Sequence, residues 1–364
     1  MKTRAAVLRS GHGPFAIEDV ELGDPGPGEA LVRMVGTGIC HTDLLAREMP
    51  AEMFGGPAVY GHEGAGVVEA VGDGVTSVTV GDHVVLSFNS CSSCPACASS
   101  RPAYCFDFNL HNMAGGRPDG SSSLTDESGE RIGSHYFGQS SFSEHSIVAQ
   151  NSLVKVDKDL DLAKLGPLGC GIQTGAGAIM NSLGVEEGAS LVIGGAGGLG
   201  LAAIMAAKIV GAGTVIAIDR HESRLELART YGATHVVQGD PAEMAAQIVE
   251  ITGRGADYGF ETTGNAAVAR GMFEGLNPIG TLGVAGVGFG ELALSQLSLF
   301  PGRSIRGIFE GDSIPSEFIP HLAQRNADGT FPFDELITNF AFEDINEAEA
   351  ASASGEVIKP VITF

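Results

Sequence analysis

The sequence predicts an α/β plus β fold, with a compact all-β domain ahead of a doubly wound parallel-sheet domain. Three observations carry this. Short apolar-alternating runs broken by turn residues fill the first ~155 positions. A strand–glycine turn–helix–strand pattern then recurs from about residue 172 to 298. At 364 residues the chain is also too long for one ordinary core.

In the first part, Glu29–Met34, Gly66–Val71 and His83–Leu86 read as strands. Residues 106–134 are polar and glycine-rich, and read as a surface loop or a substrate lid. In the second part, Ser190–Ile193 is a short apolar strand, Leu201–Val210 a helix, and Thr214–Ile218 a strand ending at Asp219. The alternation continues with helical Arg224–Tyr231, extended His235–Gln238, helical Pro241–Ile251 and extended Tyr258–Glu261. The tail ends in a strand, Pro360–Phe364.

Composition excludes several functional classes. Lys+Arg total 21 against 44 Asp+Glu, a formal charge of −23, which argues against nucleic acid or an anionic membrane as partner. No stretch is apolar for the roughly 18 residues of a membrane span, and the amino terminus does not look like a signal peptide. Leaderless cysteines at metal-ligand spacing suit a reducing cytoplasm better than a disulfide framework.

All six cysteines fall into two groups. Cys91, Cys94, Cys97 and Cys105 form C-x2-C-x2-C-x7-C, four thiolates able to converge on one tetrahedral ion. Four filled positions leave no open one, so the expected role is structural. Cys40 and Cys170 stand far apart with His62 between them. A set of three leaves the fourth zinc position open for chemistry. Paired disulfides or idle thiols are the alternative for the four-cysteine cluster. Cys40, His62 and Cys170 are weak evidence taken singly, since a lone cysteine or histidine is more often packed or solvated than ligating.

Gly195-Ala-Gly197-Gly-Leu-Gly200 is G-x-G-x-x-G, follows a strand and opens a helix, and Asp219 lies 24 positions after Gly195. In that context the glycines bring a pyrophosphate against a helix N-terminus, and the Asp219 carboxylate takes the adenosine ribose hydroxyls and repels a 2′-phosphate. NAD is therefore expected rather than NADP, although Arg220 follows directly.

Local sequence lifts the Cys40, His62 and Cys170 set. Around His62 the chain reads GHExxGxxxxxGxxV, around Cys40 GICHTD, and around Cys170 GCG followed by Thr174-Gly175. With the four-cysteine loop, the GGAGGLG turn and the ending VIKPVITF, these motifs resemble the zinc-dependent alcohol dehydrogenases of the medium-chain dehydrogenase/reductase superfamily over essentially the whole chain. The resemblance implies a GroES-like catalytic domain at 1–171 with its structural-zinc loop at 91–105, a Rossmann NAD-binding domain at 172–298, and a return to the catalytic domain over 299–364.

The resemblance also implies roles. Cys40, His62 and Cys170 match catalytic zinc ligands, Glu63 a glutamate beside that zinc, and Thr42 the hydroxyl that takes the alcohol proton. His41 and Lys359 match contacts to the cofactor pyrophosphate, Arg224 a basic residue near the adenosine ribose, and Thr174 and Leu199 positions packing on the nicotinamide. Two zinc ions per chain and NAD follow as cofactors, and a homo-oligomer, dimer or tetramer, as the assembly. The relay histidine of many relatives is replaced by Leu45, so a proton leaves by Thr42 and a cofactor ribose hydroxyl, or by His41.

Phe88, Tyr136 and Phe137 lie where the resemblance places the substrate cleft, and suggest an aromatic-lined pocket. Phe309–Ser313 (FEGDS) resembles a segment of the bacterial aryl-alcohol (benzyl alcohol) dehydrogenases. The expected reaction is reversible oxidation of a primary aromatic or allylic alcohol to its aldehyde. Thiol-dependent formaldehyde oxidation and medium-chain aliphatic alcohol oxidation are the alternatives. A zinc-loop binding protein with a vestigial nucleotide domain is disfavoured by the −23 charge and by the second metal set. The other histidines, His12, His83, His111, His135, His145, His221, His235 and His321, have no ligand-like spacing and read as surface or structural residues.

Overall fold

A computed structural model of the chain describes residues 1–11, 13–48 and 56–364, so His12 lies outside the described residues. Two compact units emerge, residues 1–171 with 314–364, and residues 172–313.

The first unit is built on two sheets among the described residues. One runs Ala58–Val59, Lys2–Leu8, Ala16–Leu22, Leu124–Thr125, Arg131–Ile132 from edge to edge. The other runs Leu153–Val156, His83–Leu86, Gly64–Val71, Glu29–Gly38, Lys359–Thr363, Ile337–Ala341, with His145–Ala149 also paired to Glu29–Gly38. Period-two alternation explains the central strand: Ala30, Val32 and Met34 are buried, while Arg33 between them is exposed. The buried set packs with Val68, Val84, Leu86 and Val148. The C-terminal strand enters antiparallel, Val361 opposite Gly38 and Thr363 opposite Gly36. That register sets Lys359 beside the segment that follows Gly38.

Residues 106–134 are not a free loop. They carry a short helix, Phe108–Asn112, and two short strands that pair with each other and extend the sheet at Ala16–Leu22. Glu29, 7% exposed, anchors the segment. Its carboxylate accepts from Arg117 Nε at 2.8 Å and Nη2 at 2.9 Å, from His135 Nε2 at 3.0 Å and from the Gly26 amide at 2.8 Å. Burial alone would raise the Glu29 pKa, but His135 and Arg117 outweigh it and bring the carboxyl down to about 2.

A pH dependence follows. A carboxyl titrating near 4.5 unfolded and at about 2 folded stabilises the fold by about 3 kcal/mol above the higher value, and loses that contribution as pH falls toward the lower. Glu29→Gln should therefore be destabilised by about 3 kcal/mol at neutral pH and by roughly half as much near pH ~3. Urea unfolding of both proteins at the two pH values measures the gap; an equal gap at both counts against the assignment.

The second unit holds a six-stranded parallel sheet in the order His235–Gln238, Thr214–Asp219, Ser190–Gly194, Ala256–Glu261, Leu276–Val284, Ser304–Gly307. Strand order reverses between Ser190–Gly194 and Ala256–Glu261, the switch point at which doubly wound sheets bind ligands. Leu191, Val192 and Ile193 are fully buried, as a strand covered on both faces requires. The helix expected from Pro241 begins at Met244, because the Asp240 carboxylate accepts the Ala242 amide at 2.9 Å and closes a turn first. The expected return at residue 299 also comes later. Ser304–Gly307 pairs in parallel with Leu276–Val284, and the chain rejoins the first unit at Ile314. No helix of the described residues is long and apolar enough to cross a membrane.

Candidate active site and metal centres

Cys40 caps the helix His41–Glu48. The Asp43 amide donates to the Cys40 carbonyl at 3.0 Å, and the Cys40 amide donates to Asp43 Oδ2 at 3.0 Å. An acid at the third helical position reaching back to the cap amide is half of a capping box. Asp43 is fully buried, and its other oxygen takes the Gly61 amide at 3.2 Å and His62 Nδ1 at 2.8 Å. This bond assigns the proton to Nδ1 and leaves the Nε2 lone pair free. His62 Nε2 is buried with no hydrogen-bond partner.

That orphaned nitrogen faces soft donors. One ligand atom from each of Cys40, His62, Glu63 and Cys170 lies within 4.8 Å of the others. Two thiols and an imidazole are a donor set zinc takes, and the Asp43–His62 bond is the usual orienting contact behind a ligating histidine. Gly169 lets Cys170 reach the cluster, since a Cβ there would stand 1.9 Å from the Leu86 carbonyl oxygen. A hydrogen bond with Cys170 holds the Cys40 thiol well below its ordinary range, against burial that raises it.

Glu63 is fully buried, and its two oxygens accept from Lys359 Nζ at 2.8 and 2.7 Å and, through Oε1, from the Gly171 amide at 3.2 Å. Burial pushes the Glu63 carboxyl up to about 7, opposed by the Lys359 ammonium. Burial lowers the pKa of Lys359 and the Glu63 charge raises it further, so the ammonium stays protonated. Lys359, expected on the cofactor pyrophosphate, is thus engaged by Glu63.

Thr42 is half-buried, with Oγ1 3.7 Å from Cys40 Sγ, and its carbonyl accepts the Tyr136 hydroxyl at 3.3 Å. His41 is exposed at the first position of its helix. Leu45 is half-buried one turn on. Phe137 stacks on the His62 ring at 4.6 Å and 28°, and Tyr136 meets that ring edge-on at 5.7 Å. Both sit in a turn with left-handed backbone at His135 (φ 61°) and Phe137 (φ 53°). Phe88 meets Phe108 at 6.1 Å, and Phe108 meets Phe137 edge-on at 5.9 Å. Phe88, Tyr136 and Phe137 are all buried and belong to one core cluster.

The second centre gathers Cys91, Cys94, Cys97 and Cys105, with ligand atoms within 4.8 Å of one another. None of the six cysteines forms a disulfide. Amides already point at the sulfurs: Cys94 N to Cys91 Sγ at 3.3 Å, Cys91 N to Cys105 Sγ at 3.3 Å and Phe106 N to Cys94 Sγ at 3.5 Å. Backbone bonds from Ser93 first, and then from Cys94, lower the Cys91 thiol to about 6, while burial lifts Cys105 to about 12. Four sulfurs this close are stable as thiolates together only around a cation.

In the second unit, Gly195 takes φ 93°, and a side chain there would meet Thr262 Oγ1 at 2.5 Å. At Gly197 a Cβ would meet nothing within 4 Å, which leaves open space at the start of the helix Gly198–Val210. A tight turn beside an open helix N-terminus fits a pyrophosphate. Gly200 lies in the first turn, where a Cβ would strike the Gly195 carbonyl at 1.8 Å. Asp219 ends its strand, with Oδ2 accepting the Ala196 amide at 2.8 Å and Oδ1 the His221 amide at 2.9 Å. Arg224 is half-buried on the following helix. The helix of Thr174 packs on Leu199, whose carbonyl would lie 2.2 Å from a Cβ at Gly175.

Two further residues hold the first site. Asp43 lies inside the CHTD motif, and an acid three positions after a ligand cysteine is a legible signal. Gln139 is fully buried, donating to the His62 carbonyl at 2.9 Å and the Ser87 carbonyl at 3.2 Å and accepting the Gly64 amide at 3.1 Å. No local pattern marks it.

Comparison with known proteins agrees with this chemistry. The family model of the alcohol dehydrogenase GroES-like domain matches residues 26–158, and that of the zinc-binding dehydrogenases matches residues 198–325. The chain is 42% identical to a geraniol dehydrogenase of Castellaniella defragrans, over 100% of this chain and 98% of the relative. It is 36% identical to an S-(hydroxymethyl)glutathione dehydrogenase of Synechocystis sp., over the whole of both chains. Among solved structures, benzyl alcohol dehydrogenase from Acinetobacter calcoaceticus is 40% identical and superimposes with a TM-score of 0.94, covering 100% of this chain and 99% of that one. Identity of this order from end to end shows that the chain belongs to the zinc-dependent alcohol dehydrogenases of the medium-chain dehydrogenase/reductase superfamily, with a GroES-like domain, a Rossmann domain, and NAD and zinc as cofactors.

Proposed function

We propose that this alcohol dehydrogenase acts on primary aromatic and allylic alcohols, oxidising them reversibly to aldehydes. The observation that carries the reading is the pair of rings, Phe137 and Tyr136, packed against His62. An aromatic wall beside the reacting centre favours a flat, unsaturated alcohol. The geraniol and benzyl alcohol dehydrogenases among the relatives point the same way.

Cys40, His62 and Cys170 would hold the reacting zinc, with Asp43 fixing the His62 ring. When bound, zinc supplies a Lewis acid for the alcohol oxygen and NAD supplies the hydride acceptor. The Thr42 hydroxyl accepts the proton of the alcohol, and the Tyr136 bond to the Thr42 carbonyl steadies its backbone. With Leu45 in the relay position, no histidine stands there to carry the proton on, and exposed His41, next to Thr42, would be the chain's own group to pass it to solvent. Glu63 sits beside the ligands with both its oxygens held by Lys359. The Gly195–Gly200 turn and Asp219 take the cofactor's pyrophosphate and ribose. Free cysteines suit the reducing cytoplasm.

NADH formation over benzylic, allylic and aliphatic alcohols and hydroxymethyl thiols, with NAD and with NADP, tests the reading. Benzylic and allylic alcohols with NAD should give the highest kcat/KM. A preference for the hydroxymethyl thiols, as the Synechocystis relative's name would suggest, contradicts it.

The second unit also exposes a sheet edge. Ser304–Gly307 is the terminal strand and is exposed throughout, with Phe300 at 85% and Ile279 at 81% nearby. An open edge with apolar neighbours invites pairing. We infer a homo-oligomer joined there, and Ile305→Pro should shift sedimentation toward the monomer; an unchanged sedimentation coefficient contradicts that interface.

A further inference from the structure

The Phe309–Ser313 turn holds a carboxylate where the backbone asks for glycine. Three successive residues are left-handed: Glu310 (φ 50°), Gly311 (φ 64°) and Asp312 (φ 52°). A residue with a Cβ stays in that region only where its surroundings over-determine it. Here they do. Asn181 Nδ2 donates to the Gly311 carbonyl at 3.3 Å. Arg306 clamps the Asp312 carboxylate at 2.6 Å and the Ser182 carbonyl at 2.8 Å. A Cβ at Gly311 would lie 2.7 Å from the Gln173 carbonyl oxygen, so the turn presses on the helix that carries Thr174.

Glu310 itself is 3% exposed. Gln173 Nε2 donates to its Oε2 at 3.2 Å, and Thr174 Oγ1 donates to the same oxygen at 3.4 Å. Two donors converging on one carboxyl oxygen suit the ionised form. Glycine at this position would relax the backbone without steric cost. The chain instead buries an acid directly behind Thr174.

We propose that Glu310 is a specificity-determining residue for the redox state of the cofactor, its carboxylate behind Thr174 favouring NAD⁺ over NADH. This rests on the reading that Thr174 packs on the nicotinamide. The nicotinamide ring is positively charged in NAD⁺ and neutral in NADH, and the rest of the molecule is unchanged. A fixed anion in surroundings poor in water therefore tightens the oxidised form selectively. In alcohol oxidation NAD⁺ is the substrate and NADH the product, so the charge tightens what must bind and gives no added hold to what must leave.

The test uses the zinc-loaded protein, with NADH affinity from its fluorescence and NAD⁺ affinity by competition. Glu310→Gln keeps the size and removes the charge. Glu310→Gly removes the charge and suits the left-handed backbone, so it decides the matter should the glutamine variant fold poorly. Both variants should weaken NAD⁺ by about tenfold and change NADH by less than about twofold. An unchanged ratio of the two affinities, or equal weakening of both, reduces Glu310 to a structural role and overturns the proposal. Wild-type protein that binds neither dinucleotide refutes the cofactor reading beneath it instead.

Discussion

Cys40→Ala abolishes alcohol-dependent NADH formation, by a factor of about a thousand or more, and removes one zinc per chain while the fold persists. The loss is large because no other side chain supplies the missing thiolate: Thr42 Oγ1 is 3.7 Å from Cys40 Sγ and is a hydroxyl. Two ligands, His62 and Cys170, remain, with Glu63 already bound to Lys359. The fold survives because the cap uses the Cys40 backbone, whose amide and carbonyl both bond to Asp43 whatever the side chain. The stability cost should stay near 1–2 kcal/mol, the scale of an ordinary polar truncation. Metal analysis, circular dichroism and turnover on one preparation check the three parts together. Undiminished turnover would refute the ligand assignment.

Cys97→Ser acts in the opposite sense, hurting the fold more than the chemistry. The loop around the four cysteines has little core of its own; its helix Pro95–Ala98 buries no residue. Its order therefore depends on the metal, whose binding free energy becomes folding free energy. Losing one ligand should cost several kcal/mol, seen as a lower Tm and rapid proteolytic cleavage within residues 91–105. Zinc content should fall to about one per chain, and the molecules that stay folded should retain turnover, since Cys40, His62 and Cys170 are untouched. An unaltered Tm with unaltered zinc content would show that the cluster holds no metal.

The chemistry-bearing segments were the most legible in the sequence, because each is local. The glycine turn, its flanking strands and Asp219 occupy one βαβ unit, and the four cysteines one short loop. What stayed hidden depends on contacts between distant segments. Asp43 meets His62 only once a helix cap and a strand end are brought together. Lys359 reaches Glu63 through the register of the last strand against Glu29–Gly38. The strands inside 106–134 are two residues each, too short for any periodicity. Ser304–Gly307 is exposed at every position, so it lacks the apolar run that marked the other strands of its sheet. Phe88 is an aromatic residue in a core, and nothing in its neighbourhood distinguishes packing from substrate contact.

Zinc per chain in the purified, unaltered protein bears most directly on the account. Two clusters, each with ligand atoms within 4.8 Å, predict two zinc ions per chain. A value of one or none would contradict the assignment of one reacting and one structural centre, however well the fold agrees.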